Sequence, residues 1–226
     1  MNFYLTAVFS LTIGISAVAG LAKMHRVEKG YLPFLLLLFV GFINEVVSIY
    51  FALRYHNNTV NYNIYLLVEA MLIAWQFQAW KLFQRRPGIY FGLQLTILVA
   101  WCTESFFIEG LTSFNRYCLI LFAFIVVVLS IYQIAYMIFF ETNNLLQHSK
   151  FIICVAFVVF FCGQIITESI GLYGLHLSKD FRTHVQTLFE YVNLFSNLLF
   201  ILAVIWMPTR PRYILQLQSA SAASVH

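Results

Sequence analysis

Charged residues are scarce in this chain of 226 residues: Lys, Arg, Asp and Glu together make up 10% of it, whereas hydrophobic residues make up 62%. Soluble domains are about one quarter charged and about half apolar, so the composition excludes a soluble globular protein. A mean hydropathy of +0.83 is typical of a protein that crosses a membrane several times. The lipid bilayer is therefore the first expected partner.

Proline and cysteine are also scarce. The four prolines all fall at the ends of apolar stretches, at Pro33, Pro87, Pro208 and Pro211. No predicted span is therefore kinked by a proline. The four cysteines show no CxxC spacing: Cys102, Cys118, Cys154 and Cys162. We interpret them as free thiols and predict neither a metal nor a cofactor from them, with a Cys102–Cys118 bridge as the alternative.

Seven stretches of the chain are long and apolar enough to be transmembrane helices, which need about 20 residues to cross the bilayer. Their apolar runs are continuous, unlike the short alternating segments of a membrane β-barrel. We predict an all-α membrane domain over residues 1–208 and a short, disordered cytoplasmic tail over 209–226. The predicted helices are 3–22, 31–53, 61–82, 89–108, 115–140, 148–172 and 184–206.

Lysine and arginine fix the expected orientation, because positively charged loops are retained in the cytoplasm. Nine of the 13 fall on one side, at Lys23, Arg26, Lys29, Lys81, Arg85, Arg86, Lys150, Arg210 and Arg212. Only Arg54, Arg116, Lys179 and Arg182 fall on the other. The N-terminus is thus predicted outside and the C-terminus inside, in a bacterial inner membrane. The net charge of +4 reflects this topology and predicts no nucleic-acid partner.

A cleaved signal peptide is the alternative interpretation of the first stretch, because Ala17-Val18-Ala19 resembles a small-residue cleavage site. No Lys or Arg precedes the apolar run, however, and cleavage would leave the basic first loop outside. We therefore favour a first transmembrane helix.

The chain also contains an apparent internal repeat. The second and sixth spans read FVGFINEVVSIYF and FFCGQIITESIGLYG, which aligns Glu45 with Glu168. The third and seventh align Glu69 with Glu190. Spans 1–3 and 5–7 are therefore predicted to be parallel copies joined by span 4. This 3+1+3 plan resembles sugar-exporter-type transporters and, more distantly, seven-helix opsins and receptors, although no family motif accompanies it and no function follows from it.

Five glutamates lie inside the predicted spans, and the predicted topology places all of them in the outer half of the bilayer. A carboxylate in hydrocarbon costs several kcal/mol, roughly 2.5–3.5 on insertion scales, unless it is neutralised, paired or hydrated. We therefore predict one outward-facing acidic cavity between spans 2, 3, 4, 6 and 7. Its predicted residues are Glu45, Glu69, Glu104, Glu168, Glu190, Asn44, Gln164, Asn193 and Asn197.

The seventh span carries the most specific local pattern. Gln186, Glu190, Asn193 and Asn197 recur at steps of four, three and four residues, which places them on one helical face. The alternative is that these groups only join helices by hydrogen bonds, each worth roughly 0.6 kcal/mol on average.

Several functions fit an acidic cavity. Its carboxylates cannot all stay ionised together, so they suit proton exchange or a bound cation. We therefore expect binding or transport of a small polar or cationic solute, with coupling to protons as an open alternative. A sensor that acts through a separate partner and an enzyme that modifies lipid are the alternatives. A retinal protein is excluded because the seventh span has no lysine, and no spacing such as HExxH predicts a metal; His176 and His184 are expected on a short exposed outer loop.

Overall fold

A computed structural model describes residues 3–108, 110–140, 145–173 and 178–209. The described residues are 86% helical and contain no strand. The all-α fold class is therefore confirmed. The described residues form eight α-helices: α1 Phe3–Leu11, α2 Ile13–Lys23, α3 Leu32–Tyr55, α4 Thr59–Ala79, α5 Pro87–Thr103, α6 Arg116–Phe140, α7 Ser149–Tyr173 and α8 Lys179–Trp206.

Each of the seven predicted segments is helical, with α1 and α2 sharing the first. Five helical segments are long and apolar enough to cross a membrane: Lys29–Tyr55, Pro87–Ile108, Arg116–Phe140, Ser149–Leu172 and Asp180–Trp206. These five fit a multi-pass membrane protein. The helix α4 has 21 residues but does not reach the same hydropathy, because it carries Asn61, Asn63, Glu69, Gln76 and Gln78.

Six helical segments surround the centre of the bundle. In order around this ring, α2 contacts α3, α3 contacts α4, α4 contacts α6, α6 contacts α7, α7 contacts α8, and α8 returns to α2. The helix α5 lies outside the ring against α4 and α6. Among its residues, Ile97 is buried, whereas added Cβ atoms at Gly88 and Gly92 would meet nothing within 4 Å.

The surface of the bundle is apolar and part of its interior is polar. Large apolar side chains face outward on several helices, including Phe91 at 68%, Phe124 at 58% and Ile166 at 57% exposure. Buried side chains include Asn63 and Gln76, both at 0% exposure. Polar groups inside and apolar groups outside are the arrangement that a lipid solvent favours.

Three local features differ from the prediction, two at helix boundaries and one in the tail. The first segment is divided at Thr12, whose hydroxyl donates to the carbonyl of Phe9 at 2.5 Å. The last helix begins at Lys179 rather than 184, because the Ser178 hydroxyl accepts from Phe181 N at 3.2 Å. Thr209, the first residue of the predicted disordered tail, pairs with Val27 in an antiparallel bridge. The remaining tail, 210–226, lies outside the described residues.

Candidate functional site

A cavity of about 280 Å³ lies inside the ring of helices. Its walls come from α1, α2, α3, α4, α7 and α8. Span 4, which is α5, was predicted to line the cavity, but no residue of α5 is among the described lining residues. The first span lines it instead, through Ser10 and Ile13. The polar lining residues are Ser10, Asn44, Glu45, Tyr62, Tyr65, Glu69, Gln164, Gln186, Glu190, Asn193 and Asn197.

Seven of the nine predicted site residues line this cavity together. They are Glu45, Glu69, Glu190, Asn44, Gln164, Asn193 and Asn197. Helical periodicity explains the grouping, since Tyr62, Tyr65 and Glu69 recur at three and four residues on α4. The four polar residues identified on α8 all line the cavity, with exposed Gln186 nearest the start of the helix.

One side of the cavity is held by two hydrogen bonds to tyrosines. The Tyr65 hydroxyl donates to Glu69 Oε1 at 3.1 Å, and Gln164 Nε2 donates to the Tyr62 hydroxyl at 3.0 Å. The second bond joins α4 to α7 across the interior. Gly41 makes room for this arrangement, because a Cβ there would lie 3.2 Å from the Tyr65 hydroxyl.

The opposite side is held by amides and hydroxyls. Asn61 Nδ2 donates to Asn44 Oδ1 at 2.9 Å and to Ser48 Oγ at 3.1 Å, which joins α4 to α3. Ser10 and Glu45 both line this part of the cavity. Asn197 Nδ2 donates to Thr12 Oγ1 at 3.0 Å and so links α8 to the division in the first segment.

Five phenylalanines line the apolar part of the cavity: Phe157, Phe160, Phe161, Phe189 and Phe200. Below them, buried Phe34 packs edge to face on Phe157 at 6.2 Å and on Phe200 at 5.4 Å between ring centroids. Phe77 packs on Phe157 at 6.4 Å. We call Phe34, Phe77, Phe157 and Phe200 the phenylalanine floor.

Two predicted site residues lie elsewhere. Glu104 is 2% exposed, and its carboxylate accepts from the backbone N–H groups of Tyr117 and Cys118 at the start of α6. Glu168 lies outside the cavity lining, with its Oε2 3.8 Å from Nε of Arg116. Both carboxylates therefore contact α6 rather than the cavity. Their positions in the sequence predicted that both glutamates lie at the same end of the bundle as the cavity. They did not predict the direction of the two side chains.

Sequence reasoning overlooked Ser10 and the phenylalanines of α7. Ser10 is a single hydroxyl in an apolar run, and the phenylalanines share the composition of every other span, so neither carried a distinguishing signal. His184 is exposed, as predicted, but it lies inside α8 rather than in a loop. His176 lies outside the described residues. All four cysteines are free, including Cys102 and Cys118, so the alternative of a bridge between them does not hold.

The described residues form no group of three or more His, Cys, Asp or Glu side chains able to hold a metal ion. No protein-family model matches this chain, and comparisons with curated proteins and with solved structures found no similar one. The function is therefore argued from the cavity.

Proposed function

We propose that this protein is a seven-span membrane protein that binds and transports a small polar or cationic solute through the cavity. The single observation that carries the proposal is a cavity of about 280 Å³ in an apolar bundle, lined by three glutamates from three different helices. Carboxylates inside a membrane bundle are costly and are found mainly on ion, proton and substrate paths. A volume just below the usual range for ligand pockets suits a small solute.

The opposite end of the bundle is tightly packed. Lys23 Nζ donates to the carbonyls of Val204 and Ile205 at 3.1 and 3.0 Å, which fixes α2 to the end of α8. Glu28 N donates to the carbonyl of Pro208 at 3.2 Å. Together with the phenylalanine floor, these contacts support a state in which the solute enters from one side only.

The charge distribution supports an N-out, C-in orientation, with the closed end in the cytoplasm. Lys23, Lys81, Arg85, Arg86 and Lys150 lie at the closed end of the bundle. We propose a bacterial inner membrane as the location. In this orientation the cavity faces outward.

Two features support the 3+1+3 repeat. When spans 1–3 are matched to spans 5–7, α2 corresponds to α6 and α4 corresponds to α8. The contact of α2 with α8 then corresponds to the contact of α6 with α4, and both contacts are present. The floor repeats as well: Phe34 and Phe157 are 123 residues apart, as are Phe77 and Phe200, a register in which Glu69 corresponds to Val192 rather than to Glu190. The contact of Phe34 with Phe200 then corresponds to that of Phe157 with Phe77. Such repeats place a solute site at their interface.

Cysteine accessibility tests this function without knowledge of the solute. Asn193→Cys, in a variant whose four native cysteines are replaced by alanine, places a thiol in the cavity. In right-side-out vesicles, a membrane-impermeant cationic thiol reagent should modify it. Ala156→Cys is the control, because Ala156 is 0% exposed on the same bundle and does not line the cavity.

Transport requires the cavity to open alternately to both sides. Modification of Asn193→Cys in inside-out vesicles as well would support a transporter. Modification only from outside would instead favour the sensor alternative, and no modification from either side would overturn the proposal.

A further inference from the structure

The cavity is unbalanced in charge. Glu45 and Glu69, on the neighbouring helices α3 and α4, both line it, and its described lining residues include no Lys, Arg or His. The described ion pair of Arg116 with Glu168 lies outside this lining. Buried carboxylates need a proton or a cation to offset their charge. The cavity therefore favours a positively charged ligand over a neutral or negative one.

The cavity is also divided into two chemical zones. The hydroxyl, amide and carboxylic groups of α3, α4 and the outer part of α8 form one zone. The rings of Phe161 and of two residues of the phenylalanine floor, Phe157 and Phe200, form the other. An inorganic cation would leave this second zone unused. A ligand with an apolar part would fill it, and aromatic faces also attract an ammonium group within about 6 Å of the ring.

Two buried side chains present polar atoms that no described residue uses. Asn44 is 7% exposed, and its Oδ1 accepts from Asn61 while its Nδ2 donates to no described group. Gln164 is 6% exposed, and its Nε2 donates to Tyr62 while its Oε1 accepts from no described group. Buried amides are normally hydrogen-bonded, so each of these lining residues has capacity for a ligand.

From this arrangement we infer that the cavity binds an organic ammonium ion that carries an apolar substituent. The ammonium group lies in the polar zone against Glu69 and Gln164 Oε1, and the substituent lies against the phenylalanine rings. The inference rests on the proposed function and adds the chemical class of the solute. It also distinguishes this ligand from an inorganic cation, which would make no use of the phenylalanine rings that line the cavity.

Thermal unfolding of the purified protein in detergent tests the inference, followed by the fluorescence of its four tryptophans. Phenethylammonium is the probe. Its uncharged counterpart 2-phenylethanol, xylitol, Na⁺ and Mg²⁺ are the comparison compounds. We expect phenethylammonium alone to raise the unfolding midpoint in a saturable manner, because ligands of the native state stabilise it.

Glu69→Gln keeps an acceptor for the Tyr65 hydroxyl and removes the negative charge, so the bundle should still fold. It should weaken the apparent affinity for phenethylammonium about tenfold or more, as expected for a lost charge-assisted hydrogen bond. Glu28→Gln is the matched control, because Glu28 is exposed at the closed end of the bundle. Its affinity for the probe should equal that of the wild type.

A shift with 2-phenylethanol equal to that with phenethylammonium would overturn the inference, and so would unchanged affinity in Glu69→Gln. If only Na⁺ or Mg²⁺ raised the unfolding midpoint, the inference that the ligand is organic would be overturned. If only xylitol raised the unfolding midpoint in a saturable manner, the inference that the ligand is a cation would be overturned. The proposed function, binding and transport of a small polar or cationic solute, would still stand. Failure of the proposed function itself is recognised separately, by lack of thiol modification at Asn193→Cys.

Discussion

The side chain of Gln76 on α4 holds the start of α3. Its Oε1 accepts from Phe34 N at 2.7 Å, and its Nε2 donates to the carbonyl of Gly30 at 2.7 Å. Gln76 is 0% exposed, and the residue that precedes α3, Tyr31, provides no side-chain cap. A buried amide on one helix therefore completes the end of the next helix, directly beside the phenylalanine floor.

Gln76→Leu should destabilise the protein by about 2 kcal/mol or more, because it leaves the buried N–H of Phe34 and the partly buried carbonyl of Gly30 without partners. Gln78→Leu is the control, since Gln78 Oε1 is buried without a hydrogen-bond partner among the described residues. We expect the control to unfold at or above the wild-type midpoint. Thermal unfolding in detergent measures both variants, and equal loss of stability in the two would contradict the capping role.

The seven-span topology can be tested at α4, a helix that does not reach the hydropathy of the five candidate spans. Asn57 and Arg85 are exposed residues on either side of α4. If α4 crosses the membrane, a cysteine at Asn57 should react with an impermeant maleimide in intact cells, and a cysteine at Arg85 should react only after lysis. Both variants are made in the background without native cysteines. Labelling of both positions under the same condition would show that α4 does not cross.

Glu104 should behave as a structural carboxylate. It accepts from two N–H groups in the first turn of α6, where negative charge is favourable. Glu104→Gln would place a donor against one of those donors, so we expect a loss of about 1 kcal/mol in the free energy of unfolding. The affinity of the Glu104→Gln variant for phenethylammonium should stay at the wild-type value. Weakened binding with unchanged stability would reverse this assignment.

The ion pair between Arg116 and Glu168 should contribute little. Its side chains are 40% and 22% exposed, and the two charged atoms are 3.8 Å apart. Exposed ion pairs contribute about 0–1 kcal/mol. A double-mutant cycle with Arg116→Gln and Glu168→Gln should therefore give a coupling energy below about 1 kcal/mol. A larger value would show that this pair holds α6 to α7 at the outer end.

Part of the candidate site could be predicted, because the residues that share one face of a helix follow from their spacing alone and do not depend on the packing of other helices. The spacing of Gln186, Glu190, Asn193 and Asn197 places them on one face wherever α8 packs. The same reasoning could not separate Glu69 from Glu104. Both are single glutamates in apolar segments near one end of the bundle, yet one lines the cavity and the other caps α6.

The sequence by itself determined the all-helical fold, the apolar segments and the approximate ends of the helices. These follow from local properties, since each helix satisfies its own backbone hydrogen bonds in a medium without water. Only the tertiary structure decided which helices are neighbours, that α5 lies outside the ring, and that the first segment lines the cavity through Ser10. Those features depend on packing between residues far apart in the chain, such as Phe34 with Phe157 and Phe200. The identity of an apolar side chain does not specify which other apolar side chain it packs against.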